Sequence, residues 1–94
     1  IDGNDNIIKS YNNNLLIKYS GSGSQLWSYT LQGYYNDFVV DSNNDIILAS
    51  GTKISGNDGS FIKNTGINST SLAIDSNDNI ITLSGAELSK YSKQ

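Results

Sequence analysis

The stretch Ile74-Asp75-Ser76-Asn77-Asp78-Asn79-Ile80-Ile81 decides the fold, because the chain contains three versions of it. The two earlier versions occupy residues 1–8 and 40–47. Their leading residues Asp2, Asp41 and Asp75 are separated by 39 and then 34 positions. Internal periods of roughly 20 to 50 residues are typical of solenoids, propellers and related arrays. The sequence therefore predicts an array of small repeated units.

Each copy of this phrase predicts two strands joined by a tight turn. Asn, Ser and Ile together fill 40 of the 94 positions, and the first two favour turns whereas Ile favours strands. The runs at 46–50 and 80–84 begin with two isoleucines, one for each face, which predicts strands covered on both sides. No window has the apolar spacing of a helix. We predict nine strands plus a stub at Ile1, arranged as three sheets of three.

A second phrase follows each turn and places a lysine at the end of a third strand. We align Ile17-Lys18-Tyr19-Ser20 with Ile62-Lys63-Asn64-Thr65 and Ser89-Lys90-Tyr91-Ser92. This alignment leaves residues 51–59, a cluster of Gly, Ser, Asn and Asp, as a loop. A fourth strand is predicted only in the first unit, at residues 25–31, so the middle unit lacks one. The lysines are interpreted as a binding row or, preferably, as edge residues that discourage strand addition.

Composition excludes several classes of protein. The net charge is −3, with six lysines and no arginine, which is not the charge pattern of a nucleic-acid binder. No run approaches the roughly 18 to 20 apolar residues of a membrane-spanning helix. The chain has neither His nor Cys, so it lacks an imidazole base, a thiolate nucleophile and the usual zinc ligands. We expect neither an enzyme nor a resident cofactor.

The repeated turns carry oxygen-bearing side chains at alternate positions, as the start of a calcium loop does. The weak calcium candidates are Asp2, Asp41, Asn43, Asp45 and Asp75. Calcium takes about six to eight oxygen ligands, and none of the three copies has the glycine or the twelfth-position glutamate of an EF-hand loop. Turns capped by Asx side chains are the favoured interpretation, and no metal site is predicted.

Three aromatic residues are candidates for contact with a ligand or partner: Trp27, Tyr34 and Tyr35. Tyr34 and Tyr35 follow Gly33 in a linker, where exposure is easier. Trp27 lies in an alternating strand, a position more typical of packing between units.

The run from Leu16 to Gly51 resembles bacterial-type β-propeller repeats. It passes from the lysine-bearing strand Leu16-Ile17-Lys18-Tyr19 through a glycine-containing turn to Leu26-Trp27, and then to the apolar-Asp-turn-Asp-Ile phrase. In this order it is similar to the families described as seven-bladed propeller repeats and quinoprotein-like propeller repeats. The resemblance covers about half of the chain directly and the rest through internal repetition. It implies an all-β fold of antiparallel, propeller-like blades.

The blade count implied by this resemblance is two and a half to three incomplete blades. We expect one domain over residues 1–94, with units at approximately 1–36, 37–70 and 71–94. A propeller blade usually has four strands, and propellers close with about four to eight blades. Closure is therefore expected from missing chain or from other copies of this chain. The first residues already lie inside a repeat, so we expect an excised or processed piece of a longer protein.

The function expected from these features is that of a non-catalytic repeat module with a structural or recognition role, at the cell surface or in a secreted protein. Asn, Ser and Tyr are typical of surfaces that bind proteins or glycans. One alternative is a fragment of a propeller enzyme resembling quinoproteins, with its catalytic groups elsewhere. Another is a self-associating fibre or tip subunit whose open sheet edges pair between copies.

Overall fold

The computed structural model describes residues 5–11, 15–30, 37–84 and 87–94, and these ranges are all β. They contain ten strands and no helix, and hence no helix able to span a lipid bilayer. The strands are β1 (Ile7–Tyr11), β2 (Leu15–Tyr19), β3 (Gln25–Thr30), β4 (Phe38–Val40), β5 (Ile46–Leu48), β6 (Thr52–Ile54), β7 (Phe61–Asn64), β8 (Ser71–Ile74), β9 (Ile80–Ser84) and β10 (Glu87–Tyr91).

The ten strands form three small antiparallel sheets. The N-terminal sheet has the order β1-β2-β3, the middle sheet β4-β5-β6-β7 and the C-terminal sheet β10-β9-β8. Every pairing joins strands that are consecutive in the chain, so each sheet is a local meander. The predicted fold class, an all-β set of incomplete propeller-like blades, is confirmed.

The prediction of three strands in every sheet is wrong for the middle sheet, which has four. Strand β6 lies inside residues 51–59, the segment that composition predicted as a loop. Thr52 and Ile54 are β-branched, and Ile54 pairs with Ile46 on the buried strand β5. The glycine-rich connection is thus confined to residues 55–60, and Phe61–Asn64 becomes a fourth strand.

Strand register also corrects the alignment of the lysines. Each equivalent lysine pairs with the second isoleucine of its unit, as in Ile8↔Lys18, Ile47↔Lys53 and Ile81↔Lys90. Lys63 instead lies on β7, opposite Lys53. The repeated phrase is therefore Lys18-Tyr19-Ser20-Gly21, Lys53-Ile54-Ser55-Gly56 and Lys90-Tyr91-Ser92-Lys93.

The isoleucine pair at the start of each second strand defines the two faces of a sheet, because successive side chains point to opposite sides. We call the face with the second isoleucine the forward face and the face with the first isoleucine the rear face. The forward face of the N-terminal sheet packs on the rear face of the middle sheet. This first junction buries Ile8, Leu16, Trp27, Ile46, Leu48 and Ile54 in one cluster.

The second junction repeats this arrangement one sheet further along the chain. Ile47, on the forward face of the middle sheet, shares a buried cluster with Ile67 and with Ile80 on the rear face of the C-terminal sheet. Strand β5 is consequently buried on both faces, as predicted. For residues 80–84 the same prediction is wrong, because Leu83 on the forward face is exposed.

Candidate functional site

The repeated turn is held together by its leading aspartate. Oδ1 of Asp41 accepts hydrogen bonds from the backbone N–H groups of Asn43 and Asp45, both at 2.9 Å. Asp75 makes the same two bonds to residues 77 and 79, also at 2.9 Å. These are the Asx-type bonds that compete with regular secondary structure and fix turns.

The fourth residue of each turn has left-handed backbone geometry. The φ angles are 61° at Asp5, 65° at Asn44 and 64° at Asp78. Asn and Asp tolerate this region better than other non-glycine residues, which explains their choice at all three positions. The turns at residues 41–45 and 75–79 therefore share one backbone shape, and Asp5 has the same φ region at the equivalent position.

Three of the five calcium candidates, Asp41, Asp45 and Asp75, accept hydrogen bonds from protein backbone. Beyond the two aspartates that close their own turns, Oδ1 of Asp45 accepts a hydrogen bond from the backbone N–H of Gly56 at 3.1 Å. Asn43 is exposed, and Asp2 lies outside the described residues. Within the described ranges, no three Asp, Glu, His or Cys residues are placed to hold a metal ion.

The leading aspartate of two turns forms an ion pair with the repeated lysine of the same sheet. Lys53 Nζ lies 3.5 Å from Asp41 Oδ2, and Lys90 Nζ lies 3.6 Å from Asp75 Oδ2. The first pair is buried, with side chains 10% and 1% exposed, whereas the second is open to solvent at 63% and 29%. One motif thus occupies two different dielectric environments.

The buried lysines also connect one sheet to the next. Lys18 Nζ donates to the carbonyl of Gly56 at 2.7 Å, and Lys53 Nζ donates to the carbonyl of Gln94 at 2.7 Å. Each acceptor follows the lysine-bearing strand of the next sheet by a few residues. The interpretation of Lys18 as an edge or binding-row residue is therefore wrong. Its charged group reaches across a junction while its stem adds apolar cover.

Trp27 shares the Gly56 acceptor with Lys18 at the first junction. The residue is 7% exposed, and its Nε1 donates at 2.9 Å to the Gly56 carbonyl that also accepts from Lys18. Gly59 lies against the ring so closely that a Cβ there would be 2.7 Å from Cε3. Trp27, proposed from the sequence as a candidate contact residue, is thus placed in packing between sheets. Tyr34 and Tyr35 lie outside the described residues.

A second polar bridge, missed by the sequence reasoning, crosses the second junction. The backbone N–H of Ser42 donates to Asp78 Oδ1 at 3.0 Å, and the Ser42 hydroxyl donates to Asp78 Oδ2. The hydroxyl bond is the main cause that holds the pKa of Asp78 below its usual value, with help from Lys93. The sequence feature that could have indicated this bridge is the acidic or amide residue that recurs at the fourth, left-handed position of each turn.

The two ends of this stack are uncovered in the described structure. The forward face of the C-terminal sheet has a shallow apolar groove of about 140 Å³, lined in part by Ala73, Ile81, Leu83 and Leu88. Leu88 is 71% exposed there. At the other end, Ile7 on the rear face of the N-terminal sheet is 47% exposed. Large contiguous apolar patches mark contact sites, whereas isolated exposed apolar side chains are common on any protein surface.

Comparison of the chain with protein-family models and with curated proteins yields no match. The junction geometry is therefore the main basis for a functional proposal.

Proposed function

We propose that the chain is a non-catalytic repeat module of the β-propeller type, with a structural or recognition role in a secreted or surface-associated protein. The observation that carries this proposal is the stacking of three sheets through one repeated junction. Such a stack presents rigid sheets and turns, the kind of scaffold on which propellers place their contact surfaces.

The use of the polar groups supports a scaffold role. Asp41 and Asp75 hold their own turns, Asp78 bridges to the preceding sheet, and Lys18 and Lys53 bridge to the following one. Their hydrogen-bonding capacity is directed at protein backbone and neighbouring side chains. In a module built in this way, the charged groups fix the positions of the sheets relative to one another.

A binding screen tests the recognition part of the proposal. We expect glycans or peptides to bind the chain and the double variant Tyr34→Ala/Tyr35→Ala to reduce affinity by about tenfold or more, since aromatic anchors dominate such contacts. Phe61→Ala is the matched control, because Phe61 is an exposed aromatic residue on β7. Equal binding by both variants would remove Tyr34 and Tyr35 from the proposed surface.

Assays for catalysis test the other part. We expect no turnover that depends on the repeated turn. Hydrolysis or oxidation by the purified chain that is lost in Asp78→Asn, with the fold retained, would favour an enzymatic function and contradict the proposal.

A self-associating subunit is a second candidate, favoured by the exposed apolar faces at the two ends of the stack.

A further inference from the structure

We propose that the forward face of the C-terminal sheet binds the rear face of the N-terminal sheet of a second copy, so that two chains close a ring of six blades. This inference rests on the proposed role as a structural module, and it names the partner. The two internal junctions already show the kinds of contact that this third junction would make.

The isoleucine pairs supply the first element of the contact. In the first junction, Ile8 of one sheet shares a buried cluster with Ile46 of the next. In the second junction, Ile47 and Ile80 occupy the same two positions. Continued by one step, the pattern places Ile81 against Ile7 of a second copy. Ile7 is 47% exposed in the single chain, so this contact would remove apolar surface from water.

The lysine supplies the second element. Lys18 and Lys53 each donate to a backbone oxygen three or four residues after the repeated lysine of the next sheet, at Gly56 and Gln94. Lys90 is the third member of the series, and its side chain is 63% exposed. The equivalent of the Gly56 acceptor in the N-terminal sheet is Gly21, which is also exposed. The repeat therefore directs Lys90 to the turn around Gly21 of a second copy.

The turn itself supplies the third element. Asp78 accepts two hydrogen bonds from Ser42 of the preceding sheet. Asp5 occupies the position of Asp78, with the same left-handed backbone, and Ser76 occupies the position of Ser42. Asp5 and Ser76 are both exposed, at opposite ends of the stack. A second copy in the same orientation would bring them together.

A leucine position shows what the missing neighbour would cover. Leu16 and Leu88 both lie two residues before the repeated lysine, on the forward faces of their sheets. Leu16 is fully buried by the middle sheet, whereas Leu88 is 71% exposed. The groove beside Leu88 is equivalent in position to the surface beside Leu16 that the middle sheet covers in the first junction.

The number of sheets selects two copies. The described residues of one chain form three sheets, so two such chains give six, within the range of about four to eight at which propellers close. Three chains would give nine, which exceeds it. A ring of two copies uses the same head-to-tail contact twice and leaves neither face uncovered.

Sedimentation velocity of the full chain over a range of concentrations tests this proposal. We expect a species with twice the chain mass of 10.2 kDa. Leu88→Asp should raise the dimer Kd by about 30-fold or more, as expected for a central apolar contact. Ile62→Asp is the matched control, because Ile62 is an exposed isoleucine on β7, away from both end faces, and should leave the Kd unchanged. A monomer at every concentration would overturn the proposal, as would equal effects of the two substitutions.

Cysteine cross-linking tests the orientation, because the chain has no cysteine of its own. A mixture of Ile7→Cys and Leu88→Cys chains should form a disulfide-linked dimer under mild oxidation, whereas either variant alone should not. Cross-linking of Leu88→Cys to itself would overturn the head-to-tail arrangement. The double variant Ile7→Cys/Leu88→Cys has one cysteine on each end face and should stop at a linked dimer, so a ladder of larger species from this variant would overturn the closed ring.

The outcomes also separate this inference from the proposed function. A monomer that still binds a glycan through Tyr34 and Tyr35 would end the inference and leave the recognition role intact. A six-bladed dimer with turnover that depends on Asp78 would support the inference and contradict the proposed non-catalytic function.

Discussion

The forward faces of the N-terminal and C-terminal sheets carry the same Leu-x-Lys pair in different surroundings. Leu16 and Lys18 are buried at the first junction, and their equivalents Leu88 and Lys90 are exposed. The strand register is the same in both sheets, because the lysine pairs with the second isoleucine in each. The difference shows that local sequence sets the strands and turns, whereas a neighbouring sheet sets their burial.

The burial of the repeated aspartate–lysine ion pair also depends on the neighbouring sheet. Asp41 and Lys53 are enclosed by the C-terminal sheet, and Asp75 and Lys90 face solvent. In water such a pair contributes little to stability, while inside a protein each charge depends on its partner. The same aspartate–lysine pair therefore has different energetic consequences in the middle and C-terminal sheets.

The largest effect is expected from removal of the buried lysine. Lys53→Met should destabilise the chain by about 3–5 kcal/mol, because it leaves the enclosed Asp41 carboxylate without its cation. Lys90→Met should cost less than about 1 kcal/mol in the dilute monomer, where its pair is exposed. Urea unfolding of both variants measures the difference. Equal costs would show that the two pairs share one environment, against the structure.

The second largest loss of stability is expected at Leu16, in contrast to its equivalent Leu88. Leu16→Ala should cost about 2–5 kcal/mol, because it opens a cavity in the first junction. Leu88→Ala should change stability by no more than about 0.5 kcal/mol in dilute solution, where the side chain is exposed. Denaturant unfolding at low protein concentration makes the comparison. A large loss from Leu88→Ala there would mean that the single chain already covers this residue.

Two equivalent glycines provide a smaller contrast. A Cβ at Gly56 would lie 1.6 Å from the carbonyl oxygen of Asn44, whereas at Gly21 the nearest atom, the carbonyl oxygen of Asp5, is 3.4 Å away. Gly56→Ala should destabilise by about 1–3 kcal/mol through forced backbone movement, and Gly21→Ala should be nearly neutral. Thermal unfolding compares the variants. A neutral Gly56→Ala would contradict the close approach of the two segments.

Acidification should weaken the turn of the C-terminal sheet, and this is the smallest of the four stability effects predicted here. The backbone N–H and then the side-chain amide of Asn79 hold the pKa of Asp75 below the usual 3.8. Because the folded pKa is the lower one, this contribution is complete above pH 3.8 and is lost as the pH falls through the depressed value. Asp75→Asn should flatten the decline of Tm with acidification over that range. An unchanged pH profile would contradict this assignment.

The sequence was sufficient for features that depend on neighbouring residues. The three copies of the Asp-turn-Ile-Ile phrase predicted β structure, and the two isoleucines of β5 predicted a strand covered on both faces. The rule of alternating side chains is local, so it needs no knowledge of the partner sheet.

The repeat, and not the glycine content, indicates the structure of residues 51–59. Thr52–Ile54 was assigned to a loop because glycines surround it, although Lys53-Ile54-Ser55-Gly56 matches Lys18-Tyr19-Ser20-Gly21. The bridges from Lys18 to Gly56 and from Ser42 to Asp78 span 38 and 36 residues. Such contacts depend on how the sheets stack, which no local pattern specifies.

The central claim is that each forward face is completed by the rear face of another sheet. Amide hydrogen exchange at increasing chain concentration tests it most directly. We expect strand β5 to be protected throughout, and strands β1 and β10 to gain protection as the concentration rises. Protection of β1 and β10 that is independent of concentration would contradict the claim.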